Sequence, residues 1–406
     1  MLQQDDPKES MFNKDTATLN TYGLLCLVII GIFVYSSCRD PYNPPAIQSP
    51  PAYLVVDGYL NAGPDSTVIT LSRTRNLDST STIPELHALV TVIGDDSVTH
   101  TLYEQGNGVY VSPQLGLNSA EKYRLRIMTA NGEKYQSDTI PVRQAPPIDS
   151  ISWRNDSAGV SIYVSTHDPL NSTWYYKWDY TETWQYQSGV RCDYDWVNDE
   201  IVSRTDQTQI YNCWTSLNST DIHVATSSNL SSDIINNLLL TSIPMGSEKL
   251  SMEYSILVRQ YAITSDAYNY WQNLKLNTEQ MGGLFDPQPS QLTGNIHCIT
   301  NPQEPVMGYI GASTVANYRI FILAPQVTQP WGYVPYYAEL VSGLECTLQL
   351  YSYDQMVQYF DVPAGSRRYV LYGTPTGAPG YLVVFIGCAD CRIHGGTNIK
   401  PSFWPN

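Results

Sequence analysis

The sequence predicts a mainly β protein: an N-terminal immunoglobulin-like sandwich followed by a larger β-rich domain with one clear helix. Three observations carry this. Short alternating runs separated by Gly, Asn, Asp and Pro fill residues 53–142. Tyr (31 residues) and Trp (9) outnumber Phe (7), and amphipathic rings suit sheets with one wet face. A clear helical repeat of apolar residues falls at 265–280, where Ala267, Tyr270, Trp271 and Leu274 share one face.

Taken in order, residues 24–34 (LLCLVIIGIFV) are too short an apolar run to span a bilayer and suit the core of an export signal. Tyr35-Ser36-Ser37-Cys38 follows, with small residues in the two positions that lipoprotein signal peptidase needs small. Residues 1–37 therefore read as a lipoprotein signal peptide and Cys38 as the lipidation site. Tyr35 stands where Leu is usual, and Asp5, Asp6, Glu9 and Asp15 make the leader acidic; a start at Met11 would shorten it. A signal anchor and a plain secretory signal are the competing readings. Residues 38–51 form a Pro-rich tether, and Arg39 after the cysteine carries no inner-membrane retention signal.

With 42% apolar and 15% charged residues, the 406-residue chain has ample material for a core. A net charge of −16 excludes nucleic acid as a partner and disfavours anionic lipid surfaces.

Residues 52–145 are expected to hold the sandwich. Runs at 53–60, 66–72, 88–93, 97–103 and 109–111 are punctuated by Gly94-Asp95-Asp96 and Gly106-Asn107-Gly108. Tyr123, Leu125 and Ile127 alternate with arginines, and Asn131-Gly132 then gives the strongest hairpin signal. About seven strands in this span suit an immunoglobulin-like fold.

Pro146 and Pro147 open the second domain, 146–406. In the run 174–184, Tyr176, Trp178 and Tyr180 share one face of a strand, with Tyr175, Lys177 and Asp179 on the other. This is either a half-buried sheet or a sugar-stacking platform. Residues 254–262 read as a strand, Thr264 to Asp266 as a helix start, and 282–294 as a loop built from Gly and Pro. In that loop Pro287 and Pro289 limit flexibility and Leu284 and Phe285 offer apolar anchors, either for a partner or for the domain's own core. Asp193, Asp195, Asp199 and Glu200 are candidate Ca²⁺ ligands in a spacing that matches no known loop pattern.

Leu54-Val-Val-Asp-Gly58, Asp168-Pro169, Tyr254-Ser-Ile-Leu-Val-Arg-Gln260 and Gly283-Leu-Phe-Asp-Pro-Gln-Pro-Ser290 carry a resemblance. So do Gly294-Asn295-Ile296, Gly308-Tyr309, Gly311-Ala312-Ser313 and the closing CADCRIHGGTNIKPSFW. Together they resemble the Bacteroidetes outer-membrane lipoprotein family catalogued as domain of unknown function 4249. The resemblance implies an accessory lipoprotein beside a TonB-dependent receptor and defines no catalytic residue. Asp-Ser or Asp-Thr also matches the O-glycosylation sequon of exported Bacteroidetes proteins. The acceptors would be Ser66, Ser79, Ser97, Thr139, Ser150 and Ser157, although Asp-Ser is equally ordinary turn chemistry.

With Cys26 removed and Cys38 lipidated, Cys192, Cys213, Cys298, Cys346, Cys388 and Cys391 remain. An even number in an exported chain suggests three disulfides. Cys192–Cys213 is the favoured pair, and the other four would staple the C-terminal tail to the sheet. A zinc site from Cys388, Cys391, His394 and His297 or Cys298, and a redox role for Cys388-x-x-Cys391, are the alternatives. No G-x-S-x-G, H-E-x-x-H or phosphate-cradling Gly loop occurs. Asp179 and Glu182 leave a glycosidase pair open; His167-Asp168 before Pro169 reads as a turn.

The expected function is that of a non-enzymatic lipoprotein of the outer membrane, on the cell surface, without metal or cofactor. It would be the accessory partner of a TonB-dependent receptor in nutrient uptake. A free-standing glycan- or protein-binding adhesin is the alternative.

Overall fold

A sheet that closes on itself takes up the first part of the chain. The computed structural model describes residues 52–75, 82–279, 292–327, 331–332, 346–363 and 366–405. Strands β1 (Leu54–Asn61), β2 (Thr67–Arg73), β3 (Ile83–Pro84), β4 (Leu89–Gly94) and β5 (Thr99–Gly106) come first. They are followed by β6 (Val109–Ser112), β7 (Lys122–Met128), β8 (Lys134–Ser137) and β9 (Ile140–Arg143). Alternation turns Leu54, Val56, Leu60, Ile69, Leu71, Val90, Val92, Leu125 and Ile127 into one buried core. The Asn131-Gly132 turn joins β7 to β8 as expected, with Gly132 at φ 88°.

The next strands are β10 (Ile148–Asp156), β11 (Gly159–His167), β12 (Tyr175–Gln187), β13 (Tyr194–Val197), β14 (Glu200–Ser203) and β15 (Asn212–Asn218). After them come β16 (His223–Thr226), β17 (Ile234–Pro244) and β18 (Glu253–Ala262). Helix α1 (Ser265–Glu279) follows, as the apolar repeat predicts, and buries Ala267 and Tyr270. β10, β11 and β17 form one antiparallel sheet. β12 is the spine of another, in the order β15–β12–β18–β21, where β21 is Val315–Leu323; β16 also pairs with β12. Their inner faces share a core containing Val160, Ile162, Val164, Tyr176, Trp178, Tyr254, Ile256 and Val258.

Before β21 the chain returns to the first sheet. β19 (Ile296–Cys298) pairs with β8, and β20 (Ala312–Ser313) inserts parallel between β1 and β9. Because β9 also pairs with β7, the path β1–β2–β6–β5–β4–β7–β9–β20 returns to β1. Sequence reading expects two facing sheets here; the hydrogen bonds instead close a barrel-like ring, in which each strand has a partner on both sides. A two-residue parallel strand supplied from far along the chain leaves no alternation to read, so the closure is invisible locally.

The C-terminal part holds β22 (Gln349–Tyr351), α2 (Tyr353–Phe360), β23 (Tyr369–Gly373), β24 (Tyr381–Phe385) and the short α3 (Ile386–Ala389). Two disulfides fasten it, Cys213–Cys391 and Cys346–Cys388, with Cα separations of 5.8 and 5.7 Å.

Candidate functional site

Where β1 and β2 meet the β12 sheet, they bound a cleft of about 690 Å³. Its floor follows from strand alternation. With Tyr176, Trp178 and Tyr180 buried inward, Lys177 and Asp179 project from the opposite face of β12. The antiparallel register sets Lys177 opposite Tyr261 and Asp179 opposite Arg259 on β18. One strand further, Tyr261 faces Val315 and Arg259 faces Asn317 on β21. Two cross-strand rows thus form a continuous polar and aromatic floor.

Asp57 and Tyr59 on β1, with Val68 and Thr70 on β2, form one wall. The Tyr59 hydroxyl donates to the Ala262 carbonyl at 3.0 Å, and its ring lies 5.0 Å from that of Tyr261, which ties wall to floor. Residues 218–222 form the other wall, between β15 and β16. Helix α1 holds that loop: Lys275 Nζ donates to the Ile222 carbonyl at 2.8 Å, and the Ile222 amide donates to Glu279 at 2.7 Å.

Two cations sit in the floor in different states. Arg259 is committed, with Nε on Asp179 and Nη1 donating to Thr181 Oγ1 at 2.9 Å. Lys177 is half-buried, with Nζ 4.7 Å from the Trp271 ring centroid and 5.4 Å from that of Tyr261. Two such cation–π contacts are together worth about 1–4 kcal/mol. Among the described residues the Lys177 ammonium makes no hydrogen bond or ion pair. Desolvation pushes its pKa below the usual lysine value; Asp179 and Asp57 oppose the shift and Arg259 adds to it. Asp57, Asp65 and Asp221 are exposed on the walls and pair with neither cation. The cleft therefore presents spare donors on its floor, spare acceptors on its walls, and aromatic surface between.

The run expected as a sheet or a stacking platform is core: Trp178 is 1% exposed, and its indole donates to Gln260 at 2.8 Å. The Tyr176 hydroxyl donates to buried Asp233 at 2.9 Å. The other face, which sequence reading gave as Tyr175, Lys177 and Asp179, supplies Lys177 and Asp179 to the cleft floor; what that reading missed is Trp271 reaching it from α1. The odd-residue alternation was the available signal for the face. Asp179 and Glu182 do not form a pair, because they lie on opposite faces. Glu182 is buried and accepts from Tyr254 and Lys249.

The favoured Cys192–Cys213 pair is not formed. Cys213 faces the main core and bonds Cys391, whereas Cys192 lies in a separate small core with Ile210, Val370 and Val384. The excursion between them needs no pin, since it folds as the β13–β14 hairpin turning at Asn198 and Asp199, both at positive φ. Cys192 and Cys298 are buried free thiols, and burial raises the Cys192 pKa to about 12. The tail is stapled to the sheet all the same, through Cys213 on β15. With Cys388 and Cys391 bonded to different partners, neither is free for zinc. The proposed Ca²⁺ carboxylates are separated by pairing: Asp195 binds Arg204 and Arg367, and Asp193 binds Arg191.

Ser66, Ser97, Thr139 and Ser157 are exposed, Ser66 at the cleft rim, and Ser150 is half-buried in β10. Ser79, Cys38 with residues 1–51, and the partner loop with Leu284, Phe285, Pro287 and Pro289 lie outside the described residues.

The quoted sequence pieces have structural roles around this site. Gly58 sits at φ 138°, where a Cβ would stand 2.4 Å from the Val68 carbonyl oxygen; glycine lets β1 and β2 pair through this point. Gly308, at φ 130°, presses against Val56 as the 307 backbone exchanges hydrogen bonds with Leu54 and Val56. The buried Asn295 amide bonds both backbone groups of Ile310 at 2.8 Å, as a strand partner would.

No curated protein matches the chain. The model of a family described as a domain of unknown function (DUF4249) matches residues 39–319, a stretch that contains every residue of the cleft but stops short of the quoted C-terminal piece. With more than half of its length matched, the chain belongs to the DUF4249 family.

Proposed function

We propose that this protein is a lipid-anchored outer-membrane protein that captures a ligand in the cleft. It works there as a non-enzymatic accessory of a TonB-dependent receptor in nutrient uptake. The cleft is the observation that carries the reading. At about 690 Å³ it falls in the size range of small-molecule sites, about 300–1,000 Å³, and its polar groups converge on a fixed floor. In this reading the first sheet takes the immunoglobulin-like part, a rigid platform that presents β1 and β2 as a wall. A lipid on Cys38 and a Pro-rich tether would confine the folded part near the bilayer, raising its effective concentration over an integral partner.

The test is to isolate the full-length tagged protein from gently solubilised membranes of its own cells and identify what accompanies it. A TonB-dependent receptor should co-purify, and the mature N-terminus should be acylated Cys38. Recovery of no integral membrane protein would refute the partnership and favour the free-standing binder. An unmodified Cys38 would refute the anchor.

A further inference from the structure

We propose that the cleft binds a neutral saccharide, with Lys177 and the wall aspartates reading its hydroxyls; this rests on the cleft being the capture site. The Lys177 ammonium carries three N–H donors and is held by ring faces alone, with no acceptor among the described residues. The wall carboxylates Asp57, Asp65 and Asp221 are acceptors that pair with neither floor cation. A ligand that suits the cleft must therefore supply acceptors at the floor and donors at the walls.

Charge narrows the choice. Asp57, Asp65, Asp179 and Asp221 outnumber Lys177 and Arg259 in the lining, and the whole chain carries −16, so an anion meets net repulsion. A simple cation is attracted by the same tally but offers no acceptor to the three Lys177 donors. A hydroxyl both donates and accepts, so neighbouring hydroxyls satisfy lysine and carboxylate together without adding charge. Tyr261, Trp271 and Tyr59 add half-buried aromatic surface for the C–H face of a sugar ring. The geometry thus favours a polyhydroxylated ring over a phosphate, a uronate or a simple cation.

The experiment uses the folded, unlipidated mature chain and follows tryptophan fluorescence, with calorimetry, against a fixed panel. The probes are soluble starch, xylan and mannan as neutral glycans, polygalacturonate as the anionic one, and a free amino-acid mixture as the zwitterionic one. At least one neutral glycan should bind and polygalacturonate should not. Lys177→Met and Asp221→Asn should each weaken binding by about tenfold, a hydrogen bond to a charged group being worth about 1.5 kcal/mol. Asp221 is exposed, so its variant separates lost recognition from lost folding. Binding of polygalacturonate or amino acids alone, binding to nothing in the panel, or neutral-glycan binding unchanged in both variants would overturn the proposal. If the receptor co-purifies while no neutral glycan binds, the ligand class fails and the accessory role stands.

Discussion

The Asp168 carboxylate gathers four donors within one turn. The amides of Leu170 and Ser172 and the hydroxyls of Ser172 and Thr173 reach it at 2.8–3.0 Å. Burial on its own would raise its pKa, but these hydrogen bonds outweigh it and bring the value down to about 2 from 3.8. A carboxylate depressed in the folded state contributes stability fully above its unfolded pKa and loses it as pH falls through the folded one. The window is therefore about pH 4 to 2, and the loss roughly 2 kcal/mol. Urea midpoints across that range should fall for the wild type, while Asp168→Asn should be less stable at pH 5 and show a flatter acid limb. Identical acid limbs would contradict this account. The turn itself was legible, because Asp before Pro with Ser and Thr behind is turn chemistry. Lys177 was legible only as a face; that its ammonium ends between two rings depends on α1 folding back over β12, which no local pattern encodes.

At the scale of elements, period-2 patterning located β1, β2, β4 to β8, β12 and β18, and period 3.6 located α1, because each buries a face of its own. Among the pieces that escaped are two defined by a distant partner. β20 is too short to alternate, and β19 pairs through three residues with a strand far earlier in the chain. Cysteine pairing escaped for the same reason, since spacing in sequence says nothing about which core a side chain enters. Cys213–Cys391 closes a separation of 178 residues and Cys346–Cys388 one of 42. On loop-closure entropy, removing the first should cost about 1 kcal/mol more than removing the second. Comparing Cys213→Ala/Cys391→Ala with Cys346→Ala/Cys388→Ala by denaturant midpoint checks the order. Thiol labelling of the native protein should leave Cys192 and Cys298 unmodified until it is unfolded in denaturant, which should then expose both. Cys192 and Cys298 still unlabelled in the unfolded, unreduced chain would contradict the pairing described.

For the whole molecule, the point that matters is convergence: β1 and β2 of the closed sheet, the outer face of the β12 sheet and α1 meet in one cleft. Each contributes only a few residues, and the family match spans them all. The central claim is that this cleft is the working surface. The direct measurement is site-specific photo-crosslinking in living cells that make the full-length protein. A photoreactive residue would replace Asn317, exposed at the cleft, or Leu170, 82% exposed and outside the cleft lining. The Asn317 position should capture a discrete species, a saccharide or a receptor segment, and the Leu170 position should not. Capture from Leu170 alone, or the same product from both positions, would contradict that claim.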